Sequence, residues 1–454
     1  MAEAMRIALA APRPRLGAGA ANADALLEAR AGAARQGAAL LLAPFASLSG
    51  APAAALACFP DFRAACEAAL ARLAAATADG GPGMVVGLPW VEGAVLHEGL
   101  ALLEGGRVAA RRACHRLSAA QEGVFAPGPS PGPVAFRGLR LGLMAGADLD
   151  DPAVPETLAE TGAELLVSLS ATPFRRQPAD RAIDRAVPRV VETGLPLLAL
   201  NLRAAQGEEI WPGGGFALNA DCALAARWPE AADGLWLTEW RAGPQGWACA
   251  PQPLPPLEAE PARLWHALAF ALAEAVARGG FSGVLVDPAQ GEAAALCAAL
   301  AAPLPVWQAG AAGAETGHAR EAALWAEAEA RRALLVNAAD KTALALGEGH
   351  RAGHFAPLRD LFRTELAALA GARGLPAPPG DAGTDGLLRG LLEEHKGVDA
   401  LAAGGYDPGE VPELWRRMAG AAGSRRRAPE GPRLSRHGFG RDPIGHGFTH
   451  ATTE

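Results

Sequence analysis

Short apolar runs recur along the first half of the chain, and several are separated by stretches in which Ala and Leu return at helical spacing. This alternation admits few folds. A run too short for a stable helix must find sheet neighbours, and the helical stretches between such runs must cover that sheet. Met5–Ala10 reads as a first strand, Asn22–Gly37 as a helix and Ala38–Ala43 as a second buried strand ending in Pro44-Phe45-Ala46. Asp61–Ala78 is a helix and Met84–Leu88 a strand. Gly99–Leu103 and Arg107–Arg112 flank the hairpin turn Glu104-Gly105-Gly106. Arg140–Ala145 is a buried strand that stops at Gly146, followed by helix Pro152–Thr161, strand Glu164–Ser168, helix Ala179–Glu192 and strand Pro196–Asn201. Short β segments fill Phe216–Trp240.

The pattern predicts an α/β sandwich with its helices outside, over residues 1–250. Ala250–Pro261 carries five prolines and reads as a linker, which sets a second domain at 262–454. There, Ala262–Ala277 is a helix, Phe281–Val286 a strand and Glu292–Ala301 a helix start. A chain of 454 residues is long enough for two such cores.

Composition narrows the function classes. The formal net charge of −8 argues against nucleic acid as a partner, and the run Arg425–Arg427 is too short to reverse it. Six cysteines lie scattered without C-x-x-C spacing, so neither a zinc site nor a disulfide framework is indicated. The start is too short and too weakly apolar for a signal peptide, and no run approaches the roughly 18 apolar residues of a membrane span. These features predict a soluble cytoplasmic protein. Lysine occurs only at 341 and 396, with arginine supplying the other positive charges.

Phe136–Asp150, FRGLRLGLMAGADLD, is where chemistry would sit, because a buried strand ending in a tight turn presents its next side chain to solvent. With GLPW at 87–90, FAPGP at 125–129, ATPF at 171–174 and GGGFALNADC at 213–222, it resembles the nitrilase (carbon–nitrogen hydrolase) family over about Met5–Cys249. The resemblance implies a four-layer α-β-β-α sandwich and an amidase triad. That triad consists of a glutamate base, a lysine that steadies the oxyanion and a cysteine nucleophile. The family's elbow reads L-M-I-C-E-D; Leu143, Met144 and Asp148 match, and Gly146 stands at the cysteine. Phe45 stands at the glutamate and Cys114 at the lysine. Arg112 or Arg116 could substitute electrostatically for the lysine, without supplying nucleophile or base. Cys114-His115 does not read as a displaced nucleophile pair, since neighbours on a strand face opposite ways.

The second half extends the resemblance to glutamine-dependent NAD⁺ synthetases, which join such a domain to an ATP- and Mg²⁺-using synthetase of the doubly wound, adenine nucleotide α-hydrolase-like class. FAPLRDLFRT at 355–364, Lys341-Thr342, Leu344-Ala345 and GFGRDPI at 438–444 carry it. The family's phosphate loop is S-G-G-x-D-S; here Asp287–Ala294 reads DPAQGEAA, retaining Gly291 and adding Asp287 and Glu292 where a phosphate would bind. Ala343 replaces a glutamate, Asp340 an asparagine, and Gly347–Gly353 stands for T-x-Y-G-D. Lys341 is the surviving nucleotide-contact candidate, against a plain surface lysine at a helix start. Only 32 residues separate Ala301 from Leu334, so about two strand–helix units are missing and the parallel sheet is truncated.

Weaker candidates complete the search. His437, His446 and His450 lie in a Gly-rich tail with no metal-ligand spacing. Glu393, Glu394 and His395 read as a solvated helix end, and Glu208-Glu209 as a surface loop or the rim of an amide pocket. The resemblance implies oligomers. The lost side chains lead us to expect a catalytically degenerate homologue with no cofactor, as a homo-oligomer or a partner or scaffold of an active NAD synthetase. An active ligase and an adenylate or amide sensor are the alternatives.

Overall fold

The computed structural model describes residues 4–176, 181–310, 317–348 and 352–439. The chain forms two compact units: Met1–Pro173, Pro178–Ala204 and Trp211–Glu258 make the first, and Phe174–Gln177, Ala205–Ile210 and Ala259–Glu454 the second.

The first unit opens with β1 (Ala4–Ala11), α1 (Gly19–Arg35), β2 (Leu40–Leu42), the short α2 (Ala54–Ala57), α3 (Pro60–Ala76), β3 (Gly83–Glu92), β4 (Val95–Glu104) and β5 (Arg107–Ala113). It continues with β6 (Val134–Phe136), β7 (Leu139–Ala145), α4 (Ala153–Glu160), β8 (Leu165–Ser170), α5 (Arg181–Thr193) and β9 (Leu197–Asn201). Strands β10 (Arg203–Gln206), β11 (Glu209–Leu218), β12 (Leu224–Glu230), β13 (Gly234–Gly243) and β14 (Gly246–Cys249) follow. One sheet runs β14-β13-β1-β2-β3-β4-β5; the other runs β10-β11-β9-β8-β7-β6, with β12 on β11.

The period of two along each strand sorts side chains into layers. Ile7, Leu9, Leu40, Leu42, Val85, Leu100 and Leu102 face Leu141, Leu143, Ala145, Leu165, Val167 and Leu169 of the other sheet. Their alternates Ala8, Ala10, Leu41, Met84 and Val86 meet Ala23, Leu26, Leu70 and Leu73 of α1 and α3. Met144, Leu166 and Leu197 meet Val154, Leu158, Ala186 and Val190 of α4 and α5. Each leucine fully buried in these layers contributes about 1.5–3 kcal/mol. The result is the α-β-β-α order that the nitrilase resemblance implies.

The second unit holds a three-stranded parallel sheet among its described residues, β15 (Val284–Val286), β16 (Val306–Gln308) and β17 (Leu334–Val336), in the order β16-β15-β17. Around it lie α6 (Glu260–Gly279), α7 (Gly291–Leu300), α8 (His318–Arg331), α9 (Lys341–Leu346), α10 (Arg363–Gly371), α11 (Ala382–Leu392), α12 (Val398–Ala403), α13 (Glu410–Gly420) and α14 (Ala422–Arg425). Strand β15 is shorter than its apolar run. Gly280 turns left-handed (φ +64°), Phe281 returns its N–H to Val276 O, and Ser282 N–H bonds Arg332 O, so the ladder starts only at Val284. Between α7 and β17 the chain has one described strand and one helix.

Candidate functional site

Strand β7 delivers Gly146 to its carboxyl end, where the N–H bonds Leu169 O at 3.0 Å and φ is +61°. A glycine takes this left-handed turn at no steric cost. Two residues on, the buried Asp148 carboxylate accepts 2.9 Å hydrogen bonds from the backbone N–H groups of Ala145, His115 and Arg116. This ties the segment after β5 to the elbow. Burial raises the pKa of Asp148, and the amide donors oppose the shift without cancelling it.

Cys114 follows β5, with its N–H on Glu98 O at 2.9 Å and its carbonyl accepting from Gly128 N–H at 2.6 Å. Phe45 follows β2 in a turn clamped by β3: Gly87 N–H bonds Ser47 Oγ at 3.0 Å and Gly87 O accepts from Leu48 N–H at 2.9 Å. A Cβ on Gly87 would meet Ala46 N at 2.3 Å, so only glycine allows this approach. The three positions converge. A Cβ built on Gly146 lies 3.2 Å from Cys114 Sγ and 3.6 Å from two atoms of the Phe45 ring. Phe45 and Cys114 are buried and belong to the core between the sheets.

Burial first, then Asp148 and Glu98, push the Cys114 thiol well above its ordinary pKa, so it remains protonated. His115 Nδ1 sits 2.9 Å from Gly128 O rather than on the thiol. Arg112 donates from Nη2 to Gly132 O. One polar group escaped the sequence reading. Glu98, on β4, is 4% exposed and receives a 2.9 Å bond from Gln121 Nε2, whose amide also lies 3.8 Å from Cys114 Sγ. Burial pushes the Glu98 carboxyl up to about 7. Its signal was an acid in the interior of the strand Val95–Glu104, directly before the apolar Gly99-Leu100-Ala101.

In the second unit the loop after β15 corrects one expectation. Asp287 presents no free charge: it is fully buried, accepts the Ala289 N–H at 3.0 Å and is paired with Arg320, whose Nε lies 3.1 Å from Oδ2. Gly291 starts α7 with φ +60° and open space beside its Cα, and Glu292 is exposed in the first turn.

Lys341 is the second correction. It heads α9, but it is no surface lysine: it is fully buried. Its Nζ lies 2.8 Å from Asp360 Oδ1, 2.7 Å from Glu393 Oε1 and 2.9 Å from Ser435 Oγ. An ammonium has three N–H donors, so no donor is left for a phosphate oxygen. Burial raises Asp360, but Lys341 and the amides of Leu434 and Ser435 outweigh it and hold the carboxyl below its usual range. Glu393 is thereby no solvated helix end, since Arg176 also reaches it at 2.9 Å. Glu394 pairs with Lys396 at 2.6 Å, and His395 Nε2 lies 3.0 Å from His437 Nε2. Glu209 is doubly bonded by Arg175 at 2.8 and 2.9 Å, and Glu208 lies 3.7 Å from Arg359. Asp340 caps α9 through the Ala343 N–H at 2.6 Å, leaving a methyl at 343. His446, His450, residues 349–351 and the end of the GFGRDPI stretch lie outside the described residues. Among the described residues no group of three or more His, Cys, Asp or Glu could hold a metal ion, and no helix is long and apolar enough to cross a membrane.

No protein-family model matches the chain. A glutamine-dependent NAD(+) synthetase of Rhodobacter capsulatus is 32% identical over 308 residues, 66% of this chain. The chain spans about half of that relative, 55% of its length. The enzyme of the same name from Xanthomonas campestris pv. campestris (strain 8004) is 25% identical over 549 aligned positions, covering 99% of this chain and 98% of that one. A solved glutamine-dependent NAD+ synthetase from Acinetobacter baumannii, in complex with ADP, shares the fold with a TM-score of 0.75 at 19% identity, over 96% of this chain and 97% of that chain. The chain is a relative of the glutamine-dependent NAD(+) synthetases.

Proposed function

We propose that the chain is a catalytically silent relative of these synthetases that works by binding, as a partner or scaffold of an active NAD synthetase. The observation that carries this reading is the meeting of Phe45, Cys114 and Gly146 within 3.2–3.6 Å of one point. These are the residues that the resemblance aligns with the triad, and they offer a phenyl ring, a protonated thiol and a bare backbone. None of these three positions supplies a carboxylate base or a thiolate, and no lysine precedes Lys341 to steady an oxyanion. A glutamine amide placed there would find nothing to react with.

The synthetase half supports the same reading. A triphosphate with Mg²⁺ does not fit the residues present. Asp287 turns its carboxylate onto the amide of Ala289 in the loop that would cradle phosphate. Lys341 is saturated by Asp360, Glu393 and Ser435, and Ala343 offers a metal no oxygen. Each lost charge-assisted contact is worth about 1.5–3 kcal/mol, so two or three of them cost several orders of magnitude in affinity.

The test separates the two halves. The purified chain releases no ammonia from glutamine above a buffer blank. Supplied directly with ammonia, MgATP and deamido-NAD⁺, it forms no NAD⁺, and calorimetry finds no saturable MgATP site below the millimolar range. An active NAD synthetase retained on the immobilised chain would support the partner role. A micromolar MgATP site with pyrophosphate release on adding deamido-NAD⁺ would replace this reading with that of an active ligase.

A further inference from the structure

A cavity of about 400 Å³ opens in the second unit where the chain enters β15 and β17. Phe281, Trp325, His354, Glu329, Arg332 and Gly280 line it. Ligand crevices of open α/β sheets lie beyond the carboxyl ends of the strands. This cavity sits at the opposite, amino-terminal ends, apart from the Asp287 loop and independent of the reading above.

Three rings form its wall. The His354 ring lies 4.9 Å from Phe281, tilted by 56°, and 4.6 Å from Trp325, edge to face at 80°. Trp325 is 40% exposed. Only 5% of the chain is aromatic, and a cluster of rings left open to water at a concave site is a feature of recognition surfaces. The backbone is shaped to it. A Cβ on Gly279 would fall 2.1 Å from the Phe281 ring, so glycine lets that ring lie on the chain. A Cβ on Gly280 would meet nothing within 4 Å.

The helix ends and one carboxylate give the cavity negative potential beside its rings, opposed by a single guanidinium. Helices α6 and α8 both end here, at Gly279 and Arg331, and helix C-termini carry a fraction of negative charge. Glu329 adds a full carboxylate. His354 is held neutral: its Nδ1 accepts the Leu335 N–H at 2.9 Å, which leaves the ring proton on Nε2, and burial lowers its pKa. A second proton would have to occupy the nitrogen that already faces an N–H. Arg332 supplies the opposing charge. Aromatic faces attract cations through the ring quadrupole, most strongly when the cation is weakly hydrated.

We propose that this cavity binds a small organic cation of the quaternary-ammonium type, held against Trp325 and Phe281 with Glu329 as its counter-charge.

The experiment uses the full chain with two probes of the same shape: choline and its neutral carbon isostere, 3,3-dimethylbutan-1-ol. Binding is followed by calorimetry and by tryptophan fluorescence. Choline should bind saturably, and the isostere at least about tenfold more weakly. Trp325→Ala should weaken choline about tenfold or more, while Trp325→Phe stays within about threefold of the parent. Glu329→Gln should weaken and Arg332→Ala should tighten choline binding, with unchanged thermal melts showing that each variant folds. Equal affinity for the two probes would make the cavity merely apolar and overturn the proposal. So would a Trp325→Ala variant that binds choline normally, or no saturation by choline up to about 100 mM, the range that detects contacts as weak as about 1.4 kcal/mol.

Discussion

Gly146→Cys tests the proposal that the meeting point of residues 45, 114 and 146 lacks amidase chemistry. The substitution places a side chain at φ +61°, a left-handed conformation that costs an L-residue about 1–2 kcal/mol. Its Cβ arrives 3.2 Å from Cys114 Sγ and 3.6 Å from the Phe45 ring, tighter than ordinary contact on one side. Overpacking of this kind costs about 1–3 kcal/mol, so a loss of about 2–5 kcal/mol in denaturant unfolding is expected. The same spacing gives the variant a different chemistry. A disulfide, with its S–S bond of about 2.05 Å, holds one Cβ roughly 3 Å from the opposite sulfur. The introduced thiol should therefore couple to Cys114 on mild oxidation, rather than attack an amide. All six native cysteines are free thiols. Reduced G146C should titrate one thiol more than the parent and the oxidised variant one fewer, with loss of two hydrogens by mass spectrometry. Reduced G146C should release no ammonia from glutamine, because residues that act as a unit are not restored singly. Measurable turnover by G146C alone would refute the reasoning, because a base and an oxyanion partner would then be supplied by neighbouring groups such as Glu98.

Three further changes probe the same architecture. The Glu98 carboxyl is pushed up to about 7 from an ordinary 4.5, so the folded chain binds that proton more tightly than the unfolded one. The contribution of Glu98 to stability should be fully present below pH 4.5 and be lost as pH rises through about 7; Glu98→Gln should remove this component and raise stability at pH 8 by up to about 3 kcal/mol, and a parent–variant difference that does not change between pH 5 and pH 8 would contradict the assignment. Lys341→Met strands the buried Asp360 without its counter-charge and should cost about 3–5 kcal/mol in urea unfolding, whereas a loss under about 1 kcal/mol would mean the pair is not buried as described. Phe45→Glu sets a carboxylate among apolar groups and should destabilise by roughly 2–7 kcal/mol, more at pH 8 than at pH 5; an unaltered unfolding midpoint would show a pocket open to water.

Absent chemistry is legible without coordinates. Gly146 bears no side chain in any fold, and residues 1–340 contain no lysine to supply a side-chain ammonium. The layers were legible too, because side-chain direction along a strand is local: Ile7 and Leu9 had to face one way and Ala8 and Ala10 the other. What residues 45, 114 and 146 do to one another was not local. Their meeting required β2, β5 and β7 to stack in two sheets, and burial decided that Cys114 would stay a protonated thiol. The charged residues depended on tertiary structure most of all. Asp287 looked like a repulsive charge until Arg320, 33 residues away, closed on it. Lys341 looked like a surface residue until Asp360, Glu393 and Ser435 surrounded it. The energy of a charge is set by its partners and its solvent, which are brought together only when distant segments pack.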